Sequence, residues 1–242
     1  MSDERSESPL IGWIVDVQND FMLPPEQGGR LYVRDASDPG DPGARAVAER
    51  IERAVDWLRE HADAVVFTGD WHRREDEEID PVDPDPERGT YPPHCLGLSN
   101  DPEEREGALI IEAIRPEDPL VLERDAGEQE ARQTARAAIA EDRPVFIRKY
   151  RFNVFEGNPG AAPFLSALAA RLGGSPEIVV VGVSRDVCVT QAIEAMQTMG
   201  YDTTAVRDAT WGLGLEPESE TLERWARQGR VIELEELVRR SP

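Results

Sequence analysis

Four apolar runs in this chain each lead into a side chain that can do chemistry. Ile11–Val17 (IGWIVDV) carries Asp16 near its end, Val65–Thr68 precedes Asp70, Val145–Arg148 precedes Lys149, and Ile178–Val183 opens the segment that reaches Cys188. Cys188 lies in GVSRDVCVTQAIEAM, within the first turn of a predicted helix. A helix N-terminus lowers a thiol pKa and offers free backbone N–H groups to an oxyanion, although a free cysteine more often serves as a small buried hydrophobe. Asp16, at the end of a buried strand, is costly unless it is paired or used. Lys149 is the single lysine of the chain, against 26 arginines. It is either a remnant of biased codon usage or a position that needs a compact charge with an adjustable amine, which arginine does not provide. Together the three supply a nucleophile, a base and a charge-orienting amine, the general logic of an activated thiol.

A second group gathers around Asp70. Asp70-Trp71-His72 places two ligand types at i and i+2 just after a strand, projecting to one side. His94 arrives from Tyr91-Pro92-Pro93-His94-Cys95. One carboxylate and two imidazoles suit one divalent metal ion (Zn, Fe or Mn), with open positions for water or substrate. The alternative is a pair of surface imidazoles. Of the three histidines, only His61 falls outside this group. Glu78 and Asp80, in the acidic loop between the two segments, are candidates for a fourth ligand.

Bringing four strand ends together requires a frame, and the rest of the chain supplies one. Strands are predicted at Ile11–Val17, Val65–Thr68, Leu120–Glu123, Val145–Arg148, Ile178–Val183, Thr203–Val206 and Val231–Leu234. Helices are predicted at Ala44–His61, Gln129–Glu141, Ala162–Leu172, Asp186–Met199 and Ser219–Arg227, with a long loop over Phe21–Gly43. Such alternation predicts an α/β fold: a single doubly wound, mostly parallel sheet with helices on both faces. Residues 1–9 are expected to form a flexible N-terminal tail and residues 10–242 a single domain. In such sheets the active site lies beyond the carboxyl ends of the strands, where all four groups fall.

The net charge of −22, from 49 acidic against 27 basic side chains, repels nucleic acid and anionic membrane, so neither is an expected partner. It suits a protein kept soluble in concentrated salt, while arginine in place of lysine suits a GC-rich genome as well. The chain shows no basic-then-apolar leader and no long apolar run, which leads us to expect a cytoplasmic location and free thiols at Cys95 and Cys188.

Read together, IVDVQNDF, FTGDWH with YPPHC, the strand ending in Lys149, and GVSRDVCVTQ with VRDAT downstream resemble the isochorismatase-like cysteine hydrolases, and within them the nicotinamidases. The resemblance runs from Ile11 to about Thr210. It implies a catalytic triad of Asp16, Lys149 and Cys188. It implies an oxyanion hole from the backbone N–H groups of Ser184 and Cys188, with a cis peptide at Val183–Ser184. It implies metal ligands at Asp70, His72 and His94, and a ring-sandwiching wall at Phe21 and Tyr91. The activity implied is hydrolysis of a small-molecule amide, nicotinamide, to nicotinate and ammonia through a Cys188 thioester. Relatives range from monomers to tetramers, so a homo-oligomer is within range.

This chain departs from the family pattern at Leu96–Asn100 after the PPHC segment, at Tyr150–Phe155 after the lysine, and at Ser184, where alanine is common. An additional stretch, Leu120–Glu141, precedes the lysine strand. These departures bear on the substrate. The alternatives are another hydrolase of the superfamily acting on a different small amide, ureide or carbamoyl compound, a vinyl-ether hydrolase, and a catalytically silent binding module.

Overall fold

The computed structural model describes residues 8–240, so residues 1–7 of the expected tail lie outside the described residues. All seven expected strands form: β1 (Leu10–Val15), β2 (Ala64–Asp70), β3 (Leu120–Leu122), β4 (Val145–Lys149), β5 (Glu177–Val183), β6 (Asp202–Trp211) and β7 (Arg230–Ile232). They assemble in the order β3-β4-β2-β1-β5-β6-β7, with every pairing parallel. An all-parallel sheet needs both faces covered. β1 accordingly sends Ile11, Trp13 and Val15 to one side and Ile14 to the other. The first face packs on Glu128–Glu141, Ala161–Leu172 and Thr190–Thr198 through Ala131, Ala135, Phe164, Leu168 and Ile193. The second packs on Ala48–His61 through Ile51, Val55 and Leu58. That helix comes so close to β1 that a Cβ at Gly12 would sit 3.1 Å from the Leu58 side chain.

This order places the chemistry. β1 lies between β2 and β5, the strands to which the chain crosses in opposite directions, and ligands bind at such a switch point beyond the carboxyl ends. The four adjacent strands β4, β2, β1 and β5 end at, or lead directly into, Lys149, Asp70, Asp16 and the Cys188 segment.

Several local details differ from expectation. The Phe21–Gly43 loop begins within a helical turn, Asn19–Met22, and contains a second at Pro25–Gln27. The helix expected from Asp186 starts as a wide π turn, Arg185–Val189, before Thr190–Thr198; such turns recur at functional sites. β7 stops at Ile232 because Asp208 Oδ1 accepts the Leu234 N–H at 2.8 Å and starts a helical turn, Leu234–Leu237. Among the described residues no helix is long and apolar enough to cross a membrane.

Candidate active site

Strand register sets the central contacts. Asp70 and Lys149 face each other across β2 and β4. Asp16 follows β1 directly, in the left-handed region at φ 52°, with its N–H on Thr68 O at 3.2 Å and its Oδ1 accepting from Thr68 Oγ1 at 2.7 Å. Lys149 Nζ lies 2.9 Å from Asp16 Oδ2 and 3.8 Å from Cys188 Sγ, and it donates to Asp70 Oδ1. The amine therefore touches all three acidic or nucleophilic groups at once. Asp16 and Lys149 are 0% and 1% exposed, and Cys188 6%.

Burial and the charges of the neighbours compete at every member. It raises the Asp16 carboxyl, and the Lys149 ammonium offsets only part of that rise, while Asp70 adds to it. Asp70 is equally buried, but the Lys149 ammonium and the His72 and His94 imidazoles facing it outweigh burial and hold it well below the usual carboxylate range. Burial would deprotonate Lys149, yet the Asp16 and Asp70 carboxylates keep it a firm ammonium, with its pKa well above the ordinary lysine value. For Cys188 burial pushes the thiol well up, Lys149 opposes this, and both carboxylates reinforce it. This reverses the low thiol pKa expected from the helix N-terminus, because burial of the sulfur, reinforced by the Asp16 and Asp70 carboxylates, outweighs Lys149. The resting sulfur is a thiol held beside Asp16.

The expected metal donors converge as well. His72 Nε2 and His94 Nε2 each lie 3.8 Å from Asp70 Oδ2. His72 Nδ1 rests on Asp76 Oδ2 at 3.1 Å and His94 Nδ1 on Pro92 O at 2.7 Å, which turns both Nε2 atoms inward. His72 Nε2 is buried with no hydrogen-bond partner. One carboxylate oxygen and two inward Nε2 atoms, one of them orphaned, fit a divalent cation. Of the two fourth-ligand candidates, Asp80 turns away and caps the N–H groups of Val82 and Asp83 at 2.9 and 3.0 Å. Glu78 is buried and accepts the Phe152 N–H at 2.8 Å, while its other oxygen has no partner. Burial and the Asp70 charge push its carboxyl up to about 7. Asp70 thus joins the two groups, with Oδ1 on the lysine and Oδ2 facing the imidazoles.

Asp70, His94, Ser184 and Cys188 open on one cavity of about 340 Å³, counting its mouth. Phe21 and Tyr91 line it, joined by Phe152, Val187 and Leu213, which the sequence did not single out. Tyr91 meets Phe152 edge-on at 5.7 Å, and Phe21 lies 5.4 Å from the His94 ring. Asp186 ties the wall to the cysteine loop: its Oδ1 accepts from Ser184 Oγ at 2.6 Å and from the Leu213 N–H at 2.9 Å. The Val183–Ser184 peptide is cis. Two residues of DVQNDF also proved structural. Gln18 accepts the Asp70 N–H and donates to the Asp70 carbonyl, both at 2.8 Å, and buried Asp20 accepts the Cys95 N–H at 2.6 Å beside His94. A Cβ on Gly107 would lie 2.2 Å from the Asp20 carboxylate, so this fastening requires glycine there. Cys95 and Cys188 are both buried free thiols.

Comparison with known proteins matches this architecture. Residues 11–236 match the isochorismatase domain. The chain is 30% identical over 219 residues to the nicotinamidase/pyrazinamidase of Mycobacterium tuberculosis (strain ATCC 25618 / H37Rv), spanning 87% of this chain and 90% of that one. Among solved structures, N-carbamoylsarcosine amidase from Thermoplasma acidophilum aligns with a TM-score of 0.61 at 18% identity, covering 93% of this chain and 96% of that one. The pyrazinamidase of Pyrococcus horikoshii in complex with zinc aligns with a TM-score of 0.58 at 21% identity, covering 93% and 98%. The structural matches speak to the fold and the domain match to descent: this chain belongs to the isochorismatase family of hydrolases, on its nicotinamidase-like side.

Proposed function

We propose that this protein is a metal-binding cysteine amidohydrolase that converts nicotinamide to nicotinate and ammonia through a thioester on Cys188. The observation that carries this reading is that the Cys188 thiol, the Asp70 and His94 donors and the Phe21, Tyr91 and Phe152 rings all line one cavity. Cys188 Sγ attacks the carboxamide carbon as Asp16 takes the thiol proton. The raised Asp16 pKa suits this base, because proton transfer is most efficient when base and operating pH are close. Lys149 stays charged and faces the sulfur as negative charge develops there. Backbone N–H groups of Ser184 and Cys188 receive the oxyanion, a contact whose loss typically costs about 3 kcal/mol in the barrier. Asp16 passes its proton to the departing amine, which leaves as ammonia. A water then gives its proton to Asp16 as its oxygen attacks the thioester, and nicotinate leaves with the thiol restored. A divalent ion (Zn, Fe or Mn) held by Asp70, His72 and His94 would supply a Lewis-acidic anchor for the ring nitrogen, directly or through water.

The walls support a neutral ring over a charged substrate. Among the described residues that line the cavity there is no arginine or lysine. A carboxylate-bearing amide such as N-carbamoylsarcosine would find no arginine or lysine side chain there, and only the proposed metal ion, already assigned to the ring nitrogen, could answer its charge. The test is ammonia release from nicotinamide by zinc-loaded protein, with N-carbamoylsarcosine in parallel and Cys188→Ala as control. Release from nicotinamide that vanishes in the variant is the expected result. No release from protein whose Cys188 still reacts with iodoacetamide would overturn the substrate, and release preferring N-carbamoylsarcosine would overturn the reading of the walls.

A further inference from the structure

The edge strand β3 ends at Leu122, and two residues later Arg124 reaches back over the ends of β2 and β4. Its side chain is 12% exposed. Nη1 donates to Asp76 Oδ2 at 2.7 Å and to the Trp71 carbonyl at 2.9 Å, while Nη2 donates to Asp76 Oδ1 at 3.0 Å. The guanidinium lies 4.4 Å from the centre of the Tyr150 ring, on the residue after Lys149. Asp76 Oδ2 also accepts from His72 Nδ1 at 3.1 Å and from the Arg73 N–H at 2.9 Å. One fork therefore grips the carbonyl between Asp70 and His72 and, at the same time, the carboxylate that orients the His72 ring.

We infer that Arg124 is a positioning residue for the Asp70–His72–His94 centre, acting through Asp76. This rests on the metal centre proposed above. An imidazole offers Nε2 to a cation when Nδ1 keeps its proton and the ring is held, and a carboxylate on Nδ1 does both. A carboxylate held by one bond swivels. Two parallel bonds from a planar guanidinium fix its plane and its rotamer. The loop carrying Arg124 is itself fastened, since Asn158 Nδ2 donates to the Glu123 carbonyl at 2.9 Å and Glu123 pairs with Arg148 at 2.7 Å. The stretch beginning at Leu120, which the family resemblance leaves without a role, thereby acquires one. It adds an edge strand whose exit delivers a fork to the far side of the metal ligand. Lysine could supply the charge there and not the two-point grip.

The experiment is a zinc titration of full-length protein against a chromophoric chelator, comparing wild type with Arg124→Met, Arg124→Lys, Asp76→Asn and the Asp76→Asn/Arg124→Met double variant. Arg124→Met should bind zinc about 10- to 100-fold more weakly, the usual effect of losing an outer partner of a ligating histidine. Arg124→Lys should recover part of that loss. The double variant should bind about as well as Asp76→Asn alone, because both changes act through one contact. Iodoacetamide reactivity of Cys188 in the metal-stripped protein should not follow the loss of zinc affinity. Wild-type protein that binds no zinc overturns the metal centre and this inference with it. Tight wild-type binding matched by Arg124→Met overturns the inference alone. So do fully additive losses in the double variant, and so does a loss that lysine fails to relieve and that parallels a fall in the urea midpoint of the metal-stripped protein.

Discussion

Replacing Lys149 with methionine tests the charge balance at the rim. The Asp16, Asp70 and Cys188 ligand atoms lie within 4.8 Å of one another, and the lysine is their ammonium partner at 1% exposure. Without it, two carboxylates repel by roughly 3 kcal/mol at about 5 Å and an effective dielectric of about 20. Removing one partner of a buried ion pair costs about 3–5 kcal/mol, so the two estimates agree. The sign with pH is specific. In wild type the Lys149 pKa is raised, so its contribution is complete below the unfolded lysine value and is lost only as pH climbs through the higher folded one. In the variant the carboxyls of Asp16 and Asp70 rise above their unfolded values, so the destabilisation is largest at alkaline pH and shrinks as one of them takes up a proton. Urea unfolding should show a deficit of about 3–5 kcal/mol near pH 8 and clearly less near pH 5. A deficit that stays constant across this range, or falls under about 1 kcal/mol, would refute the reasoning. The wild type carries its own control: as Lys149 is the only lysine, acylation at that position reports opening of the buried rim.

Three further outcomes follow from the same geometry. The His72 pKa is raised from 6.5 to about 9, against burial, by the Asp70 carboxylate facing its Nε2 and the Asp76 carboxylate on its Nδ1. In metal-stripped protein its stabilisation, about 3 kcal/mol by linkage, should be complete below the unfolded value and disappear as pH rises through the folded one. The urea-derived stability difference between wild type and His72→Asn, followed against pH in chelator, measures this, and a flat difference contradicts it. Cys188 alkylation by iodoacetamide should accelerate steadily into the alkaline range, since burial keeps the sulfur a thiol at neutrality; a rate plateau at neutral pH would show a preformed thiolate instead. Phe152→Ala removes one ring of the wall while leaving the backbone N–H that holds Glu78, so KM for nicotinamide should rise about 5- to 30-fold with kcat changed less. An unchanged KM would remove Phe152 from the substrate wall.

Much of the frame is legible in sequence for a physical reason. Strands covered on both faces must be apolar throughout, so IGWIVDV and IVVVGV stand out, and a polar residue ending such a run marks the rim. Asp16, Asp70 and Lys149 are visible in this way. Phe152, Val187 and Leu213 are not, because no periodicity places them. Leu213 reaches the cavity through a hydrogen bond to Asp186, 27 positions earlier. Short turns such as Val154–Gly157 are equally hidden, since that one forms on the Asn153 side chain, which caps the Phe155 N–H at 3.0 Å. The sign of the Cys188 pKa differs from the local expectation for a related reason. A helix N-terminus is a local feature, whereas the burial that outweighs it, and the Asp16 and Asp70 carboxylates that reinforce it, come from the tertiary fold.

Asp70 shows why triad and metal donors have to be read as one unit. Its Oδ1 takes a hydrogen bond from Lys149 while its Oδ2 faces both imidazoles. Lys149 can answer one full negative charge, yet it touches two carboxylates and a sulfur that the proposed mechanism makes anionic. A positive group on the Oδ2 side, whether protonated His72 or a bound cation, draws the Asp70 charge away from the lysine and leaves the ammonium to Asp16 and Cys188. The chain fastens that side with unusual care: Gln18 grips the Asp70 backbone, Asp76 the His72 ring, and Asp20 the backbone beside His94. Each fastening fixes how far the second positive charge stands from Asp70. Asp70 is thus the one carboxylate that the single lysine and the histidine side share.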